Sequence, residues 1–475
     1  MRAWLARNRR GALAIGAIAV TVIVTATSRL SFLGGGEIDW DEGVYWLSMQ
    51  SMQAGHALFV SVYSSQPPAF LLVTEPPWAL LGGGIAAARA VMLGWSAIAV
   101  VAGSIVGWRL GGRVTAVAVA VTLAVDPLMV RQSLVLQADG PATSLGLVAI
   151  AFGAVAVTTR HKRWGTLAAG LAGAALVIGL LTKLLDVAVV PPLVAVLAER
   201  RQWRRLLLAA CAGGLIAACA VLLPLHDAWR AIWDQSVGLH LTTRSASSGI
   251  SLTDALGERW HVGALAAAGA VVGWRRHPRL VITGVIWVVG AALAMAVTHP
   301  LWPHHAVSAS PGYALLCGAG VATLFDWLLR RPWGRRSTAA AAGLAIALSA
   351  GAALYLASGL RHLPSIDLTS LAGKLVTDTP ASAVVLGDEQ FAQALAHRAS
   401  PPGFVDTSNT RLFAEGGAVQ RLEATANGQP PVCAVLFSSG RLAHLPGFDA
   451  WVARHYPVRL SLGPAQYIYL LPTCG

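Results

Sequence analysis

Long apolar runs alternate with short polar breaks along the first three quarters of the chain, and the runs show no amphipathic stripe. A run of about 20 apolar residues crosses the hydrocarbon as a helix, which satisfies every backbone polar group within the segment. On that rule the pattern predicts eleven spans, at 11–30, 84–108, 114–127, 141–157, 166–182, 185–198, 206–223, 263–274, 280–297, 311–329 and 338–356. Several are short for a full crossing, and 69–83 is either a twelfth crossing or a re-entrant helix. Past position 356 the pattern changes. Strand-like runs at 383–386, 432–437, 458–462 and 467–471 alternate with helical runs at 389–396, 417–426 and 448–455, which predicts a small α/β domain. The expected division is therefore a membrane domain, 1–358, and a second domain, 359–475.

Composition agrees with the pattern, since 55% of residues are hydrophobic and 12% are charged, about half the charge of a soluble domain. The formal net charge is +13, and its placement sets the topology. Basic residues gather at Arg2, Arg7, Arg9 and Arg10; Arg109 and Arg113; Arg160, Lys162 and Arg163; Arg200, Arg201, Arg204 and Arg205; Arg275, Arg276 and Arg279; and Arg330, Arg331, Arg335 and Arg336. Between consecutive clusters lies room for one helical pair, so the clusters read as cytoplasmic loops. The chain is then a multi-pass protein of the cell membrane, with its N-terminus cytoplasmic, its first span uncleaved, and its C-terminal domain extracytoplasmic. Segments 31–69, 224–262 and 359–475 fall on the outer face.

Cys211, Cys219 and Cys317 lie in apolar spans as small hydrophobes. Cys433 and Cys474 both fall in the outer domain, where an oxidising setting allows them to pair.

The first outer loop holds Glu37, Asp39, Asp41 and Glu42 within six positions. Such acids repel one another near a membrane surface unless a cation, a metal or a reaction uses them, although a solvated juxtamembrane loop would look the same. An amphipathic helix from Asp41 to about Gly55 is expected to lie in the interface, before Tyr63-Ser64-Ser65-Gln66 and the Pro67-Pro68 break. Lys183 is one of only three lysines, with Lys162 and Lys374, and stands at the outer end of its span near Asp186. It either snorkels to the interface or neutralises a phosphate. Asp139, before Gly140-Pro141 at the start of a span, reads as a helix cap. Arg89 sits near a span end, as anchor or anion ligand. His299, His304 and His305 share a short outer loop with Trp302. Outer residues His226, Asp227, Trp229, Trp233, Asp234, His240 and Arg244 form an aromatic, polar loop that suits a membrane-interface belt or sugar stacking. In the outer domain, Asp388, Glu389, Asp406 and Ser408 are the polar candidates, in a module read as acceptor-recognising or partner-binding.

Asp41-Glu42, Tyr45, Gly55, Gln66-Pro67-Pro68, Arg89, Gln137-Ala138-Asp139-Gly140-Pro141, Leu180-Leu181-Thr182-Lys183 and His299-Pro300-Leu301-Trp302-Pro303-His304-His305 follow in one order along the membrane part. In that order they resemble the C-type glycosyltransferase (GT-C) fold, and most closely the dolichyl-phosphate-mannose protein mannosyltransferases and bacterial lipid A aminoarabinose transferases. The resemblance implies an inverting transfer of a hexose or pentose from a polyprenyl-phosphate donor to a glycan, lipid or protein acceptor on the extracytoplasmic face. Asp41 matches the family's base, and Glu42 would share that role or orient the acceptor. Lys183, Arg89, His304 and His305 would hold the donor phosphate, while Asp139, Tyr45 and Gln66 would face the acceptor or an ion. A divalent metal would have Asp41, Asp139 and His305 to bind it. No tyrosine stands beside the histidines, where some relatives have one. Membrane lipids are implied as further partners, and nucleic acid is not. A transporter or lipid-linked-sugar flippase is the competing class, but it would place charges near the bilayer midplane and show two matching halves.

Overall fold

The computed structural model describes residues 2–242, 249–330, 365–414, 416–428, 431–463 and 465–474. Seven of the described helices are long and apolar enough to cross a membrane: Gly11–Phe32, Ile85–Leu110, Asp139–Thr158, Lys162–Leu180, Trp203–Gly238, Pro278–Val297 and Pro303–Leu328. Shorter apolar helices at Arg113–Val125, Leu184–Ala198 and Trp260–Gly273 occupy three more of the expected spans. The eleventh, 338–356, lies outside the described residues, as does Arg244. The stretch at 69–83 is a helix, Ala69–Leu80, with Pro76 and Pro77 inside it, and it ends in a turn where Gly82 and Gly83 take positive φ. Twelve residues of helix rise only about 18 Å, too short to cross.

The C-terminal part carries a four-stranded sheet of β1 (Val385–Gly387), β2 (Ala434–Phe437), β3 (Val458–Gly463) and β4 (Gln466–Leu470), in the order β1-β2-β4-β3. β1 runs parallel to β2, and the other pairs are antiparallel. The edge strand β1 and its parallel neighbour β2 are buried along their whole length, which is why both read as unbroken apolar runs. Helices Gln390–Leu395, Ala418–Ala426 and Phe448–His455 pack beside it. A disulfide joins Cys433, just before β2, to Cys474, with the Cα atoms 5.5 Å apart.

The first outer loop departs from expectation. Its helix, Asp41–Gln53, does not present an apolar face to lipid, because residues Glu42 to Met49 are all buried. Tyr45 packs edge-on against Phe70 at 4.8 Å, and Trp46 against Phe391 of the C-terminal domain at 5.6 Å. The face that the sequence assigns to the interface is covered by a domain encoded more than three hundred residues later, which no local pattern reports. Two glycines make the cover close. A Cβ on Gly43 would stand 2.2 Å from the Phe391 nitrogen, and one on Gly36 would stand 2.4 Å from the Ile366 oxygen. Between those two glycines lie Glu37, Asp39, Asp41 and Glu42, so the C-terminal domain clamps the acid-rich loop from both ends.

Gly43→Ala is therefore expected to lower stability by about 1–3 kcal/mol, because backbone atoms cannot yield to the added methyl. Thermal unfolding of the detergent-solubilised protein measures this, and a melting temperature equal to wild type would show that the seam is loose.

Candidate active site

Asp41 and Glu42 are neighbours in sequence with opposite surroundings. Glu42 turns inward and is fully buried. Its Oε1 accepts from Arg89 Nε at 2.9 Å and from the Leu136 amide at 3.1 Å, while Oε2 accepts from Arg89 Nη2 at 2.7 Å and the Ile38 amide at 2.9 Å. Arg89 also donates to the carbonyls of Gly35 at 3.0 Å and Gly36 at 2.7 Å. The guanidinium fork and carboxylate thus satisfy each other, and neither residue lines the cavity beside them. This corrects two expectations: Glu42 has no free oxygen to share a base's role, and Arg89 has no direction in which to meet a donor phosphate. Both serve to fix the loop.

Asp41, the first residue of its helix, faces a cavity of about 700 Å³. Its amide donates to Asp39 Oδ1 at 3.2 Å, and its Oδ2 accepts from Gln137 Nε2 at 3.3 Å. Burial first, then the nearby Asp39 carboxylate, pushes its proton affinity up to about 7, against the pull of Lys183. Tyr45 and Gln66 line the same cavity. Burial holds the Tyr45 phenol well above its ordinary range.

Across the cavity, Lys183 Nζ donates to Asp139 Oδ2 at 2.7 Å, both residues being nearly buried. Asp139 is the first residue of helix Asp139–Thr158, with Ala138 at the cap position, so its carboxylate serves Lys183 rather than capping the helix. Lys183 reaches this acid across the helices and not Asp186, its neighbour in sequence. His304 Nε2 lies 3.9 Å from the same Asp139 oxygen, and the His304 and His305 rings meet edge-to-face at 4.7 Å.

Asp139, His304 and His305 each offer a ligand atom within 4.8 Å of the others, and one carboxylate with two imidazoles is a donor set that suits a divalent ion. The set differs from the expected one in taking His304 and leaving out Asp41. The Lys183 ammonium already neutralises the Asp139 carboxylate.

Several cavity residues carried no functional assignment from sequence. Arg131 pairs with Asp39 at 2.6 Å and lines the cavity. Its signal lies in the sequence, since the reading from the arginine clusters assigns it to the outer side, away from every cluster read as cytoplasmic. The C-terminal domain contributes its sequence candidates Asp406 and Ser408 to the wall, together with Asn409, Thr410 and Arg441, which the sequence does not single out. Arg441 stacks over Trp40 at 3.9 Å and donates to the Asp388 carbonyl at 3.2 Å. Asp388 itself accepts the amides of Ser438 at 2.7 Å and Leu442 at 3.1 Å, a structural task outside the cavity lining. Trp229 and Trp233 are more than half exposed, as interface tryptophans are.

Neither the family models nor the curated proteins contain a match to the sequence. Among solved structures, ArnT from Cupriavidus metallidurans in the apo state superposes with a TM-score of 0.66 over 97% of this chain and 98% of its own, at 15% identity. The same protein bound to undecaprenyl phosphate gives 0.63 over 96% and 98%, at 14% identity. The oligosaccharyltransferase AglB from Archaeoglobus fulgidus, in complex with an inhibitory peptide and a dolichol-phosphate, gives 0.57 over 93% of this chain and 71% of its own, at 11% identity. The chain thus has the GT-C fold shared by these membrane proteins.

The seam beside the site holds a second pair of acids. Glu37, whose backbone exchanges hydrogen bonds of 2.9 and 2.7 Å with Ile366, is driven up to about 8 by burial and then by Glu389. Glu389 is driven up to about 7, chiefly by burial. Unfolded, both would titrate near 4.5, so the folded protein holds more protons between that value and about 8. Stability is therefore expected to be greatest below pH 4.5 as far as these groups are concerned, and to fall as pH rises through 7 to 8. Melting temperature against pH tests it, with Glu37→Gln expected to flatten the decline.

Proposed function

We propose that the protein is an integral-membrane glycosyltransferase that moves a sugar from a polyprenyl-phosphate donor to an acceptor hydroxyl, with Asp41 as general base. The observation that carries this is a single cavity with three unlike walls. One wall is apolar, from Leu184, Leu185, Val187, Leu239, Leu241 and Val297, and four of these (Leu184, Val187, Leu241 and Val297) are 41–70% exposed on the protein surface. That wall suits an isoprenoid tail entering from the bilayer. A second wall holds Lys183, His304, His305 and Arg131, suited to a phosphate. The third, from the C-terminal domain, is polar, and Asp41 stands among them. Neighbours of the same fold have been solved with undecaprenyl phosphate and dolichol-phosphate, which supports the donor class.

In the reaction the acceptor O–H gives its proton to the Asp41 carboxylate as its oxygen bonds to the anomeric carbon. Attack comes from the side opposite the phosphate, so the configuration inverts. The bond from the anomeric carbon to the phosphate oxygen breaks, and its electron pair leaves on a phosphate monoester next to the Lys183 ammonium. A base held near neutrality is well matched to this task, because it is free to accept a proton at pH 7 yet binds it firmly. Tyr45 and Gln66 flank Asp41 on the acceptor side. The arginine clusters support an extracytoplasmic position for the cavity and the C-terminal domain.

Asp41→Asn is expected to cut transfer by about 10²–10⁴-fold while leaving the melting temperature near wild type. Purified protein with radiolabelled undecaprenyl-phosphate hexoses and pentoses measures it, and undiminished transfer would remove Asp41 from the mechanism. A base must be deprotonated to act, so wild-type turnover should climb as pH passes upward through about 7. A profile flat from pH 5.5 to 8.5 would count against the assignment.

A further inference from the structure

Asp126 lies outside the cavity lining, yet three of the cavity's groups trace back to its carboxylate. It follows the apolar helix Arg113–Val125 and caps the six-residue helix Pro127–Gln132, where an aspartate before a proline is a strong start signal. Its Oδ1 accepts from the amides of Leu128 at 3.1 Å and Met129 at 3.0 Å, and from the Ser310 hydroxyl at 3.1 Å. Its Oδ2 is ion-paired with Arg259 Nη2. Arg259 in turn donates from Nη1 to the Ala306 carbonyl at 2.9 Å and stacks over Tyr313 at 5.4 Å. Asp126, Arg259 and Ser310 are all more than nine-tenths buried.

We propose that Asp126 is a positioning residue for the site, acting through Arg259 and the short helix it caps to set where Arg131, Gln137, His304 and His305 stand around Asp41. This rests on the transferase reading. The capped helix carries Arg131, which meets Asp39 at 2.6 Å, and Gln132, which donates to Gln137 at 2.9 Å; Gln137 then donates to Asp41 at 3.3 Å. On the other arm, Ala306 directly follows His304 and His305 in the short 3₁₀ helix Pro303–Ala309. Capping alone needs neither an arginine nor a second oxygen. A buried pair could be exchanged for apolar residues at little cost in stability, so what this pair contributes is geometry: it ties two separate wall segments to one point.

The test compares Asp126→Asn, the charge-free double variant Asp126→Asn/Arg259→Gln, and Arg259→Lys, which keeps the charge but loses the fork. Melting temperature, hydrogen exchange over 303–309 and transfer from undecaprenyl-phosphate hexoses and pentoses are measured on the full chain. Asp126→Asn is expected to lose both stability and turnover, because it strands a buried guanidinium. The double variant should regain the melting temperature while kcat stays on the order of tenfold to a hundredfold below wild type and exchange over 303–309 speeds up. Arg259→Lys should show the same kcat loss at wild-type stability, and it decides the question if the double variant does not fold. Recovery of kcat together with stability, or unchanged exchange over 303–309, would overturn the proposal. Wild-type protein that transfers no sugar would instead sink the transferase reading, since the exchange comparison needs no turnover.

Discussion

The buried pair of Arg89 and Glu42 is the interaction on which the site depends. An arginine inside an apolar span is costly unless every donor is met, and here the fork meets a carboxylate and two loop carbonyls at once. Meeting them draws residues 33–42 around the guanidinium, so the loop is wrapped on a charge rather than laid over a surface. Because Glu42 is consumed in this way, Asp41 is left on the outside of the same turn. Among the described residues no cation pairs directly with the Asp41 carboxylate, and burial beside Asp39 keeps it hungry for a proton. Two adjacent acids acquire separate tasks from their environments alone.

The same division of labour recurs across the cavity. Asp139 gives its charge to Lys183 and holds that ammonium in place, while Asp39 holds Arg131. Each of these cations is thus already oriented by an acid, and the acids are supplied by elements far apart in sequence. The polar wall from the C-terminal domain completes the enclosure, so the module is part of the site and not an appendage to it.

Much of this was legible in the chain. Apolar runs long enough to cross, arginine clusters and the return of alternating strands gave ten described helices and four strands near their observed places, since each signal is local. The order of short motifs pointed to Asp41, Lys183, Asp139 and the histidines as members of one group. Local signals could not say which of Asp41 and Glu42 faces inward, because that depends on Arg89 two elements away. Nor could they say that Lys183 chooses Asp139 over nearby Asp186, or that helix Asp41–Gln53 is covered. Arg131 and Arg441 went unnoticed because an isolated arginine has no pattern, although the topology made Arg131 unusual. The eleventh span rests on sequence alone.

The clamp at Gly36 and Gly43 has a bearing on how such a protein is made. The ribosome emits the acid-rich loop more than three hundred residues before the surfaces of Ile366 and Phe391 that seal it. Until then the loop has its anchor in Arg89 but no lid, and its helix exposes aromatic side chains to whatever surrounds it. A nascent chain therefore carries an unfinished cavity until the C-terminal domain docks.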